Sequence, residues 1–284
     1  MFDKKNITPF FKKVKFPLMA ESGWLTRSLE QKMPYDFDYK GAIRPDSLKD
    51  AFLNTIDIIE RNDHLGEILN YFFQGLIIQR NKQRIVLAKP LNLGILKIVD
   101  LLISHFNLNY LASGESRLPV LALYASYQCL INEIHRYDGK RLLKIESHTS
   151  ADLRSGRIGD IDIVDKNNKV FESVEVKHGI KITSQLVRDA FDKFKMTQLS
   201  RYYLFSTVGI NKNDLIQIDI EIDRIKNLHG CEVIVNGLED TLKYYLRLIG
   251  DTSIFIENYV ELLAIDKSIK YEHKAGWNNI IAGM

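Results

Sequence analysis

Between Asp160 and Asp165, polar and β-branched residues alternate with period two, the pattern of a strand with one buried face. Lys166-Asn167-Asn168-Lys169 interrupts the alternation with a polar cluster whose asparagines tolerate left-handed turn geometry. From Val170 to Lys177 the alternation resumes, with Val174 and Val176 on one face and Ser173, Glu175 and Lys177 on the other. The stretch predicts a β-hairpin. Pairing its limbs about Asn167 or Asn168 brings Asp160 and Asp162 close to Glu175. Three carboxylates and an ammonium then share one polar face beside an apolar one.

Upstream the period changes to that of helices. Helices are predicted from about Asp46 to Arg61 (Leu48, Phe52, Ile56, Ile59), Leu65 to Gln79 (Ile68, Tyr71, Phe72, Leu76) and Asn92 to Phe106 (Leu96, Val99, Leu102, Ile103). The apolar stripes of the second and third are expected to be core. Residues 1–45 are expected to be irregular, because Pro9, Pro17, Pro34 and Pro45 interrupt them. Pro119 suits the first turn of a further helix, with Leu123, Tyr127, Leu130 and Ile134 as its stripe and Gly139 near its end. A strand over Arg141–Ser147 and a polar loop, His148–Arg157, lead into the hairpin.

After the hairpin come a helix (Thr183–Lys195), a strand (Arg201–Thr207) and a mainly helical stretch (Asp214–Leu228). The β-branched run Ile216–Ile220 leaves a strand open inside that stretch. A strand over Cys231–Val235 and a helical tail complete the chain. The order predicts an α/β class, a mixed sheet flanked by helices. Residues 1–112 would form a helical N-terminal region and residues 113–284 the domain that carries the hairpin.

The 45% hydrophobic and 26% charged fractions exclude a disordered chain. No apolar run is long enough for a membrane span, and Met1–Asn6 has no apolar core for a signal peptide. No membrane partner is therefore expected, and a cytoplasmic location is. Cys129 and Cys231 read as core thiols of a reducing compartment and cannot make a zinc site alone. The net charge of +3 neither demands nor excludes nucleic acid. Lys4, Lys5, Lys12, Lys13 and Lys15 form a basic arm, Arg80 to Arg84 a basic link, and Arg154 and Arg157 precede the hairpin. Such clusters follow phosphates, although a charge run is more often simply solvated.

Residues two apart on a strand share a face, so Glu175 and Lys177 point into the same space, where an aspartate of the preceding strand can meet them. Two carboxylate oxygens and a backbone carbonyl, that of Val176, suit Mg²⁺ or Mn²⁺, with water and phosphate completing an octahedron. Such an ion lowers the pKa of bound water and offsets charge on a phosphorane-like transition state. A lysine beside it orients the attacking water.

The predicted αβββαβ order, together with Gly159-x-x-Asp162…Glu175-Val-Lys177, resembles the PD-(D/E)XK nuclease superfamily, which includes most restriction endonucleases. The similar region runs from about Pro119 to Val235. The resemblance implies a restriction-endonuclease-like core in which Asp162 and Glu175 bind Mg²⁺ and Lys177 assists the water. The superfamily's first proline is absent: Ile161 precedes Asp162, and Gly159 precedes Asp160. Asp160 is therefore a rival first ligand, with fourteen residues between it and Glu175 where Asp162 has twelve. It would otherwise serve a second metal ion or order its water.

Arg154, Ser155 and Arg157 are expected at DNA phosphates or base edges, and Gln185 at a phosphate or water. Glu133, where some relatives carry an accessory acid, is expected to face solvent, and His178 to point away from Lys177. Asp165, Glu172, Lys166 and Lys169 read as solvated charges flanking the turn. The resemblance implies a Mg²⁺-dependent endonuclease of double-stranded DNA, most similar to a type II restriction enzyme. It would work in a bacterial or archaeal cytoplasm with a companion DNA methyltransferase. Two strands need two cuts, which a homodimer, or a monomer cutting sequentially, would supply. Two alternatives stay open: a nuclease of repair or recombination that reads DNA structure, and a DNA-binding protein whose hairpin charges are only structural.

Overall fold

The computed structural model describes residues 8–13, 33–41, 43–61, 64–82, 85–145 and 157–284. The chain divides into two compact units, Met1–Arg84 and Ile85–Met284. The first contains α1 (Thr8–Lys13), a short helix inside the region expected to be irregular, then α2 (Asp46–Arg61) and α3 (Leu65–Lys82). The apolar stripe of α3 is not the core it was expected to be, and that of α2 is largely exposed as well. Leu53 is the buried residue of α2, while Leu48, Phe52 and Ile59, and on α3 Tyr71, Phe72 and Leu76, are exposed. A periodic stripe shows which side of a helix is apolar, not whether another layer covers it.

The units meet at Arg84/Ile85 rather than near residue 112, because α4 (Ile95–Phe106) buries Ile98, Val99, Leu101, Leu102 and Phe106 in the core of the second. His105 is buried with them. Its Nδ1 lies 2.9 Å from the Tyr259 hydroxyl and its Nε2 2.8 Å from the His273 carbonyl, and burial lowers its pKa to about 4. It is a neutral core histidine.

Helix α5 (Arg117–Glu133) has Pro119 in its first turn and is buried almost all round, as suits a central helix. A 3₁₀ turn at His135–Tyr137 and Gly139, with φ 69°, redirect the chain. The strand expected over Arg141–Ser147 is short: β1 covers Arg141–Leu142, and the Leu143 N–H still donates to the Asp162 carbonyl at 3.0 Å. Then follow β2 (Ile161–Val164), β3 (Val170–Lys177), α6 (Ser184–Phe194), β4 (Arg201–Ser206), α7 (Leu215–His229), β5 (Glu232–Gly237), α8 (Leu238–Leu246), α9 (Thr252–Ile265) and α10 (Tyr271–Ala282). The Ile216–Ile220 run is helical.

The five strands form one mixed sheet in sequence order. The pairs β1–β2 and β2–β3 are antiparallel; β3–β4 and β4–β5 are parallel. One cluster of buried apolar side chains joins α4, α5, α8, α9 and α10 to Ile161, Ile163, Val174, Val176, Tyr203 and Phe205. A second joins α6 and α7 to Ile158, Tyr202, Leu204 and Val233. The architecture is thus α+β, with helices on both faces of the sheet, and its parallel strands are accordingly buried on both sides. Cys129 and Cys231 are buried free thiols whose pKa values burial pushes up to about 11 and about 12. No helix among the described residues is long and apolar enough to cross a membrane.

Glu172 corrects one expectation. It is fully buried on the α5 side of β3, ion-paired with Arg136 and accepting hydrogen bonds from the hydroxyls of Tyr137 (3.0 Å) and Tyr203 (3.2 Å). Alternation puts it on the face of Val174 and Val176, which the helical layer covers. A carboxylate survives there because three side chains supply donors. Glu172→Ala should lower stability by about 2–3 kcal/mol in urea denaturation, since it leaves Arg136 and two buried hydroxyls short of an acceptor.

Candidate active site on the hairpin

The hairpin closes through a turn in which Asn168 takes φ 62° and Asp165 Oδ1 accepts the N–H groups of Asn167 (2.8 Å) and Lys169 (2.9 Å). Those bonds, the one from Lys169 foremost, hold the Asp165 carboxyl below its usual range. Asp165 shapes the turn as well as flanking it. The turn sets the register: Ile161 pairs with Val174 and Asp162 with Ser173. One step further, Asp160 faces Glu175.

Asp162 is only 1% exposed. Its Oδ1 accepts the Ser173 hydroxyl at 2.6 Å and the Gly159 N–H at 3.3 Å; its Oδ2 accepts the Ile158 N–H at 3.2 Å and lies 3.9 Å from the Arg157 guanidinium. Burial nevertheless raises the carboxyl's pKa, against the opposing pull of those donors. Gly159 makes the arrangement possible by close approach: a Cβ there would lie 2.5 Å from the Val174 carbonyl oxygen and 2.6 Å from Ser173 Oγ. Asp160 plays a different part. Its Oδ2 accepts the Val176 N–H at 2.9 Å, standing in for a backbone carbonyl just before β2 begins.

Glu175, 7% exposed, carries two ammoniums on one oxygen: Oε1 accepts Lys177 Nζ at 2.6 Å and Lys193 Nζ at 2.8 Å. Its Oε2 is 3.5 Å from the Tyr202 hydroxyl. Burial, and then the charges of Glu175, Asp160 and Asp162, hold the Tyr202 phenol well above its ordinary pKa, so it stays a neutral donor beside all three carboxylates.

Of the residues expected at DNA, Arg157 donates to the Lys144 carbonyl at 2.6 Å and leans on Asp162, while Arg154 and Ser155 lie outside the described residues. Lys4, Lys5 and Lys15 of the basic arm and Gln83 and Arg84 of the link lie outside them too. Gln185 is exposed on α6 and bonded to Asp189 (2.7 Å) and Arg188 (2.9 and 3.2 Å) of its own helix. Glu133 accepts the Gly250 N–H at 2.8 Å. His178 Nδ1 lies 3.2 Å from Thr207 Oγ1, and burial lowers its pKa although Glu115 opposes this. Sequence reasoning assigned no role to Lys193, Tyr202 or Ser173. Ser173 was visible on the polar face, whereas the other two reach the site from α6 and β4, and no local pattern marks them.

Among the described residues no three His, Cys, Asp or Glu side chains converge to hold a metal ion. Mg²⁺ needs only one or two carboxylates, because it keeps much of its water. Glu175 and the partly buried Asp160, with the Val176 carbonyl between Glu175 and Lys177, fit that smaller set. Asp162 fits less well, since protein donors already engage both its oxygens. The chain matches no protein-family model and no curated protein.

Gly159→Ala should cost about 1–3 kcal/mol in chemical denaturation, because β3 backbone has to move away from the new methyl group. The pH dependence of Asp162 has a definite sign. Its folded pKa is raised, so its contribution to stability is complete below 3.8 and is lost as pH rises through the folded value. Wild type should therefore lose stability relative to Asp162→Asn as pH rises from 3.8, and the difference should level off once pH has passed the folded value; thermal melts over a pH series test it.

Proposed function

We propose that the protein is a Mg²⁺-dependent endonuclease of double-stranded DNA with a restriction-endonuclease-like core, most similar to a type II restriction enzyme. The observation that carries this reading is the hairpin register, which gathers Asp160, Asp162, Glu175 and Lys177 at one place on the sheet. The element order α5-β1-β2-β3-α6-β4, with antiparallel pairing up to β3 and parallel pairing after it, agrees with the αβββαβ core of that superfamily.

On this reading Glu175, the Val176 carbonyl and an aspartate hold the ion, which supplies a Lewis acid for the phosphodiester and for the attacking water. The access of the two aspartates favours Asp160 for that task and gives Asp162 the holding of the Ile158–Gly159 turn. Lys177 presents its ammonium beside Glu175, where it can orient water and meet developing negative charge. Tyr202 keeps a neutral hydroxyl aimed at Glu175. Arg154, Ser155 and Arg157, with the N-terminal unit, would contact DNA. A homodimer and a companion methyltransferase belong to the same proposal, as does a cytoplasmic location.

One observation favours a second reading, a DNA-binding protein with structural hairpin charges. Arg157, Lys177 and Lys193 already match the three acids in number, so the cluster does not need a metal ion to be neutral.

Glu175→Ala and Lys177→Ala should each reduce Mg²⁺-dependent plasmid cleavage by about a hundredfold or more, and Asp160→Ala more than Asp162→Ala. If the wild type fails to cut varied DNA in Mg²⁺ or Mn²⁺, or both alanine variants still cut, the catalytic assignment is wrong. Discrete fragments from plasmid mark a restriction enzyme; a preference for branched or flapped substrates marks a repair or recombination nuclease.

A further inference from the structure

Glu175 Oε1 accepts two ammoniums, and the two lysines on it are held differently. Lys177 sits two residues away on the same strand and is about one quarter exposed. Lys193 comes from the last turn of α6, and its side chain is 46% exposed. Its backbone is nevertheless well anchored. Thr183 Oγ1 caps α6 through the Leu186 N–H, Asp214 accepts the Ser184 N–H at 2.7 Å, and the neighbouring Phe194 is buried and stacked on Tyr202 at 4.7 Å. The helix therefore carries Lys193 to the edge of the cluster with a fixed base and a long, half-solvated arm.

Two ammoniums within hydrogen-bond distance of one oxygen repel each other, and the single charge of Glu175 offsets only one of them. A divalent cation arriving at Glu175 would add two positive charges to that space. One ammonium then has to move, and the more exposed one, on the separate element, can move at the lower cost. A phosphodiester brought in with the cation supplies a new anionic partner.

We propose that Lys193 is an exchange cation: it neutralises Glu175 in the metal-free protein, yields that carboxylate to the divalent ion, and transfers its ammonium to a DNA phosphate. The inference rests on the metal-dependent nuclease reading. It concerns a lysine that assists by changing partners, a role separate from that of Lys177 beside the reacting water.

Lys193→Met keeps the aliphatic stem and removes the charge. In titration calorimetry without DNA, the variant should bind Mg²⁺ about three- to tenfold more tightly than wild type, since the ion no longer displaces a partly exposed ion pair. In duplex binding with Ca²⁺ as the cation, the slope of log affinity against log salt should shrink by about 0.9, the loss of one phosphate contact. In EDTA the slopes should coincide, because Lys193 then stays on Glu175. A purely structural lysine would not produce opposite effects on cation and DNA. Unchanged or weaker Mg²⁺ binding by the variant, or an equal slope change in EDTA, overturns the exchange role alone. A wild type that binds no Mg²⁺ overturns the metal-dependent reading and the exchange with it.

Discussion

The three carboxylates Asp160, Asp162 and Glu175, all buried or half-buried on the hairpin, have to be met by donors if it is to pack at all. Much of the local structure follows from this requirement. Asp162 is met by a hydroxyl and two backbone N–H groups, which draws the Ile158–Gly159 turn over it and requires a glycine where β3 comes within van der Waals reach. Asp160 is met by the Val176 N–H, which extends the edge of β3 past the start of β2. Glu175 is met by two lysine ammoniums, one of them from a helix whose last turn is pinned by the Phe194–Tyr202 stack.

The contrast between Glu172 and Glu175 shows what the manner of neutralisation decides. Both are buried, three residues apart on β3 and on opposite faces. Glu172 has a guanidinium and two tyrosine hydroxyls, and both tyrosines belong to the larger core and cannot leave without unpacking it. Glu175 has two lysines with partly exposed arms, whose charges can be traded for other cations at modest cost. The first carboxylate is a structural brace. The second is the one that the proposed chemistry uses.

The proposed ligand set takes its order from the same contrast. Asp160 and Asp162 lie on one face of the hairpin by period two, and sequence spacing leaves both available as the first metal ligand. Their surroundings differ: Asp162 is sealed beneath the turn that it organises, whereas Asp160 stands just before β2 begins, across from Glu175. On the proposed reading this gives the two aspartates separate tasks, one architectural and one chemical.

The hairpin, its turn at Asn168, its pairing near residue 167 and the shared face of Ser173, Glu175 and Lys177 were legible along the chain, because period two and turn chemistry act between near neighbours. The order of helices and strands in the second unit was legible for the same reason. Burial was much less so. Patterning marked the face of α3 as core although Tyr71, Phe72 and Leu76 are exposed, and it took Glu172 for a solvated charge although it is fully buried. Lys193 and Tyr202 reach Glu175 from elements that follow it in sequence, and no spacing rule joins them to it. Their meeting depends on the parallel pairing of β3 with β4 and on the packing of α6 across the sheet. Those are properties of the folded whole, since they require distant segments to bury one another, and they turn a row of charges on a hairpin into a candidate site.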